Sequence, residues 1–163
     1  TPHAGPTRCH RKTHTMTTLR PAVIFDVDGT LCDVRGIRHH VRVRPKNFDA
    51  FHGESIDCPP HQHVVDNTHA VAASGSAVLV VTARRHRWRY HTILWLHENA
   101  VPYDQLYMRA DHDHRKDVEV KRELLRRIKA DGYHVTMAWD DNPAVITLWE
   151  SEGIPVTVVP GWE

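Results

Sequence analysis

Apolar positions along the chain fall into short solid runs separated by amphipathic stretches. Ala22-Val-Ile-Phe-Asp-Val27 is a run of this kind, stopped by Asp28-Gly29-Thr30. Its length and its turn-forming end predict a buried strand. Ala77-Val-Leu-Val-Val-Thr82 predicts a second buried strand, and Val135-Thr-Met-Ala-Trp139 a third. Pro155 to Val159 predicts a last strand, and Tyr103 to Met108 a further short one. Between them the period changes to that of a helix. Val64, Val65, Thr68, Val71 and Ala72 share one helical face after Pro59-Pro60. Trp88, Thr92, Trp95 and Leu96 mark another helix. Val120, Leu124 and Ile128 repeat every four residues over about 116–130, and Gly132 supplies the stop. Val145, Leu148 and Trp149 continue as a helix before Gly153. Residues 33–58 carry no period and read as a basic loop or small insertion. Residues 1–20 are polar, without apolar period, and predict a disordered tail ahead of one folded domain over 21–163.

Strands alternating with helices at this spacing predict an α/β domain. Its parallel central sheet, Rossmann-like, carries helices on both faces. Right-handed crossovers bring the C-terminal ends of the strands to one edge, where ligands bind.

Composition narrows the function less than the pattern does. The 163 residues are enough for one domain with a substantial core. A formal charge of +1 indicates neither a nucleic-acid coat protein nor a membrane-surface protein. The 15 histidines make the charge pH-sensitive below about 6.5, where free imidazole titrates. Cys9, Cys32 and Cys58 form no Cys-x-x-Cys pair, so free thiols in a reducing compartment are expected. No apolar run reaches the roughly 18 residues of a membrane span, and no signal-peptide pattern is present. A cytoplasmic protein is the resulting expectation.

The strand ends hold the chemistry. Asp26 and Asp28 close the first strand, Thr82 and Arg84 the second, and Asp140 and Asp141 the third clear one. Lys121 lies on the helix before that strand. Four carboxylates on one edge repel one another and call for a cation. Oxygen ligands without thiolates favour Mg2+. A carboxylate nucleophile beside a second acid suits an aspartyl-phosphate mechanism. Asp26 and Asp28, two apart, share a face if the strand runs straight. One then meets phosphorus while the other serves the leaving oxygen as acid and base. The second acid needs a pKa raised by its neighbour for that role. Lys121 and the Thr82 hydroxyl stabilise the phosphoryl oxygens in transfer.

Asp26-x-Asp28-Gly29-Thr30 after an apolar strand resembles the first motif of the haloacid dehalogenase (HAD) superfamily. Thr82, Lys121 and Asp140-Asp141 resemble its second to fourth motifs in order. Within it, Val23 to Leu31, Asp113-His-Arg-Lys-Asp117 with Lys121, and Asp140-Asp141 resemble the phosphatase domain of phage polynucleotide kinase–phosphatases. The resemblance implies a HAD fold with a minimal cap insertion and a phosphatase removing 3′-phosphates from nucleic-acid ends. It implies Asp26 as nucleophile, Asp28 as acid–base, and Thr82, Lys121 and Arg84 near the substrate. Asp117 would orient Lys121. Mg2+ would be held by Asp26, the Asp28 backbone carbonyl and Asp140, with Asp141 in support. The arginine that the family carries soon after the first motif falls, by ungapped count, on Ile37, between Arg35 and Arg38. Asn142 replaces another family arginine. No Gly-x4-Gly-Lys-Ser/Thr is present, so a kinase would lie upstream or on another protein.

Two other functions stay open on sequence. One is a phosphatase for nucleotides or small phosphorylated metabolites. The other is a non-catalytic module that binds nucleic-acid ends. Each motif residue also has a plain structural reading. Asp26 and Asp28 can form an Asx-turn. Asp140-Asp141 can cap the next helix. Lys121 can pair with Asp117 one turn away. His61/His63 and His112/His114 follow no recognised ligand spacing. The run from Arg84 to Tyr90 interleaves cations with aromatics. It suits either a nucleic-acid end or an ordinary helix start with Trp88 in the core.

Overall fold

The computed structural model describes residues 17–162. The elements are β1 (Arg20–Phe25), α1 (His39–Arg42), α2 (Phe48–Glu54), α3 (Gln62–Ala73), β2 (Ala77–Arg85), α4 (Arg89–Glu98), β3 (Gln105–Arg109), α5 (Asp117–Ala130), β4 (Tyr133–Asp140), α6 (Pro143–Ser151) and β5 (Val156–Val158). The strands form one parallel sheet in the order β3-β2-β1-β4-β5. The α/β class with a parallel sheet therefore holds. Among the described residues, no helix is long and apolar enough to cross a membrane.

β1 lies at the centre, and its alternation divides the core in two. Val23 and Phe25 join Val78, Val80, Trp95 and Leu96 on one face. Ala22 and Ile24 join Leu79, Val81, Leu124, Ile128 and Trp149 on the other. Burial on both faces is why β1 and β2 read as unbroken apolar runs. The four-residue repeat in α5 buries Val120, Leu124 and Ile128 as expected, with Lys121 and Leu125 beside them. Gly132 follows with φ +92°, a conformation open to glycine, and turns the chain directly into β4.

Two expectations of local structure change. The expected tail lies outside the described residues as far as residue 16, as does Cys9. Arg20, assigned to that tail, is the first residue of β1, and its N–H donates to Gly132 O at 2.9 Å. Residues 33–58 are largely helical, with α1, α2 and two short 3-10 turns. Their helices are too short for a period to show. They are held by Val34, Ile37 and Phe51, which enter the core under α3 and α4. Cys32 and Cys58 are free thiols.

Candidate active site

β1 ends at Phe25, and Asp26 follows while still bonded to β4 through its N–H to Trp139 O at 3.1 Å. Its carboxylate lies on the α5 side of the sheet. There Lys121 Nζ donates to Asp26 Oδ1 and to Asp140 Oδ2, each at 2.8 Å. Trp149 Nε1 also donates to Asp140 Oδ2, at 3.2 Å. Thr30 Oγ1 approaches the second Asp26 oxygen at 3.4 Å. Asp26, Lys121, Asp140 and Asp141 are all buried. Lys121 is thus a bridge at the bottom of the site and not a solvated helix lysine.

Asp141 completes the cluster. Arg38 Nη2 donates to its Oδ2 at 3.1 Å, while its Oδ1 is buried without a partner. Gly29, at φ +84°, permits this approach, because a side-chain carbon there would overlap the Asp141 carboxylate. Asn142 caps α6, accepting from Ala144 N at 3.1 Å, with Pro143 in the first turn. The capping role is therefore taken by the next residue, and Asp141 faces the cluster.

The charges set the electrostatics. Burial pushes Asp26 well above the ordinary carboxylate range. Lys121 pulls it back, and Asp140 and Asp141 push it further up. Burial and Asp140 raise Asp141 to about 6 against the pull of Lys121 and Arg38. Burial works against the Lys121 charge, but Asp140 and Asp26 outweigh it and hold the ammonium protonated. Oxygen atoms of Asp26, Asp140 and Asp141 converge within 4.8 Å of one another. This all-oxygen set, raised carboxyls and an unpartnered buried oxygen fit a hard divalent cation such as Mg2+.

Asp28 departs from the straight-strand expectation. The chain turns after Phe25, and Asp28 meets the end of β2 instead. Arg84 holds its carboxylate with two bonds, Nε at 2.9 Å and Nη2 at 2.5 Å. The neighbouring acid does not raise Asp28. Burial pushes its pKa up, but the Arg84 charge and hydrogen bonds outweigh burial and the net shift is downward. Arg84 is itself buried, and its Nη1 donates to Thr92 Oγ1 in α4 at 3.2 Å. Its guanidinium is spent on orienting Asp28. The Thr82 hydroxyl is buried beside it and accepts from Arg84 N at 3.1 Å.

Asp117 is the other departure. It does not orient Lys121. Arg109, from the end of β3, donates to Asp117 Oδ1 at 2.6 Å and also binds the carbonyls of Ala83, Asp113 and Arg115. Arg109 thereby ties the segment before α5 to the sheet edge. Arg38, Trp149 and Arg109 were not assigned roles from sequence. For Arg38 a signal existed, since it adjoins the gap in the motif count. Arg35 turns outward and pairs with Asp33, and Ile37 is core.

The fold and this edge have the form of a HAD phosphatase. A class C acid phosphatase from Bacillus anthracis with tungstate bound superposes with a TM-score of 0.66 at 15% identity, over 89% of this chain and 68% of that one. CbbY from Rhodobacter sphaeroides in complex with phosphate gives 0.58 at 13% identity, over 89% and 88%. At such identities the likeness is one of fold. The chain belongs to the family of polynucleotide kinase (PNKP) phosphatase domains, whose model matches residues 20–161. A structure of the Pnkp1/Rnl/Hen1 RNA repair complex contains a chain similar to this one, with a TM-score of 0.75 at 26% identity. That match covers 93% of this chain and 48% of the other, so this chain spans about half the length of that relative. The protein is thus a HAD-type phosphatase domain.

Proposed function

We propose that this domain hydrolyses the 3′-phosphate of a polynucleotide through an aspartyl-phosphate on Asp26. The observation that carries the proposal is the placing of Asp26, bonded to Lys121 at 2.8 Å, with Asp140 and Asp141 converging on it from the end of β4. The family membership supports the substrate class.

Asp26 attacks phosphorus and the ester oxygen leaves. Asp28 protonates that oxygen and later takes a proton from the water that cleaves the aspartyl-phosphate. Arg84 aims Asp28 and holds it ionised in the free domain, so the proton Asp28 delivers is one it first takes from the phosphate monoanion as the ester binds. Thr82 and Lys121 donate to the phosphoryl oxygens. Asp26, Asp140 and Asp141, with the Asp28 backbone carbonyl, would hold Mg2+. When bound, the ion neutralises the carboxylates and polarises the phosphoryl group. A companion kinase, upstream or on a separate protein, and a cytoplasmic setting belong to the same proposal.

A Mg2+-supplemented panel tests this reading. It compares oligonucleotides with 3′-phosphates, oligonucleotides with 5′-phosphates, mononucleotides and sugar phosphates. Preferential release from the 3′-phosphorylated oligonucleotides is expected. Equal rates on all four refute the polynucleotide assignment. Release unaffected by Asp26→Asn refutes the nucleophile.

A further inference from the structure

Beside the carboxylates runs a row of rings that the chemistry above leaves unused. It begins at Phe48 in α2, passes to His52, and crosses to Trp88 in the turn before α4. From there it continues through His91 to Tyr90. Successive ring centroids lie 6.3, 5.6, 5.0 and 6.4 Å apart. These spacings put each ring in contact range of the next. Both ends are open, with Phe48 53% and Tyr90 73% exposed.

His52 joins the row to the site. Its Nδ1 is buried without a hydrogen-bond partner. Burial lowers its pKa to about 4, with the charges of Asp28 and Arg84 close enough to act on it. The row therefore passes the site on its Asp28 side. An ester with phosphorus at Asp26 and its leaving oxygen at Asp28 directs its leaving group toward these rings.

We infer that Phe48, His52 and Trp88 form a stacking platform for the bases of a single-stranded polynucleotide whose terminal phosphate occupies the site. This rests on the phosphatase reading proposed above. Every base has a flat π face, so such a platform is indifferent to sequence. Bases inside a duplex have both faces covered and gain nothing from it. The surrounding charge suits a polyanion. Between Val34 and Phe48 there are five Lys or Arg and no acid. Arg42, Arg44 and Lys46 are exposed. The Lys46 ammonium lies 6.0 Å from the Phe48 ring centroid, and the Arg87 guanidinium 5.4 Å from that of Trp88. Arg87 is ion-paired with Asp49, an exposed contact for which a backbone phosphate would compete.

The test measures binding of a labelled single-stranded 3′-phosphorylated oligonucleotide to the Asp26→Asn protein by fluorescence anisotropy. Adding Trp88→Ala is expected to weaken binding about 5- to 150-fold, the size of one lost base–aromatic stack. An abasic strand of equal length and phosphate count should bind with unchanged affinity. Trp88→Phe, which keeps a ring, should restore most of the loss. Phe48→Ala, at an exposed site where folding is not at stake, should weaken the base-containing strand alone by about 5-fold or more. Equal weakening for both strands, or no weakening with Phe48→Ala, overturns the platform. The two proposals fail separately. Ring-dependent binding by a wild-type protein that releases no phosphate refutes the phosphatase reading and keeps the platform. Release from base-containing and abasic ends with the same kcat/KM refutes the platform and keeps the phosphatase.

Discussion

The floor and the rim of the candidate site are built on opposite terms. The floor consists of Asp26, Lys121, Asp140 and Asp141, delivered by β1, α5 and β4. Each is buried, and Lys121 holds two acids at 2.8 Å. The rim consists of residues 33–58 and the run after Arg84. Its cations are mostly exposed and its helices short. Removing one partner from a buried ion group leaves an uncompensated charge, which costs far more than a surface pair contributes. The floor is therefore intolerant of substitution, whereas the exposed cations of the rim can vary with little effect on folding.

That contrast can be broken at four points. The largest expected effect is Asp26→Asn, which should lower kcat by about 10⁴-fold or more while the chain stays folded. Steady-state phosphate release with circular dichroism checks both halves. Second is Lys121→Met. It should cost about 3–5 kcal/mol in urea unfolding, since Asp26 and Asp140 lose their shared cation. Arg87→Met on the rim should leave the urea midpoint in place. Equal losses from the two substitutions would erase the distinction between floor and rim.

Third is pH. Asp141 is raised to about 6 from an ordinary 3.8. Between these values the folded state holds the extra proton, so metal-free stability falls as pH rises from about 4 to about 6. The full shift amounts to about 3 kcal/mol. Asp26, also raised, acts in the same direction. Asp28 and Asp33 are lowered, and their contributions fade only as pH falls below the ordinary value. Mg2+ should thus raise Tm more at pH 7 than at pH 5, and equal shifts by calorimetry would contradict the charge crowding. The smallest effect is Arg35→Ala. Its pair with Asp33 lies at the surface, and at most a slight fall in the urea unfolding midpoint is expected.

The floor was legible in the sequence and residues 33–58 of the rim were not, for physical reasons. β1 and β2 are buried on both faces, so their apolar runs announce them. Lys121 follows Val120 on the buried stripe of α5, and the strand-end motifs stand in family order. The arginine partners of Asp28 and Asp117 do not follow from the sequence because each depends on long-range register. Arg84 reaches Asp28 across 56 residues, only because β2 pairs with β1 and the chain turns after Phe25. A lysine one turn from Asp117 suggested a local pair, yet Arg109 from the edge strand takes it. The helices of 33–58 have one or two core contacts each, too few to print a period. Arg38 adjoined the correct place in the motif count, but only the fold shows it at Asp141.

The central position of β1 also sets a timetable. Arg20 pairs with Tyr133 and Phe25 with Trp139, so the strand that leads to Asp26 has one edge unpartnered until β4 exists. At about 5–20 residues per second, the ribosome needs roughly 6–20 s to make the intervening chain. Throughout that interval the emerging segment carries Asp26 but neither Asp140 nor Asp141. A chain halted before Val135 would expose the apolar edge of β1 and lack its acidic cluster. The acidic cluster would thus be complete only once β4 has been made, after the first three strands of the domain.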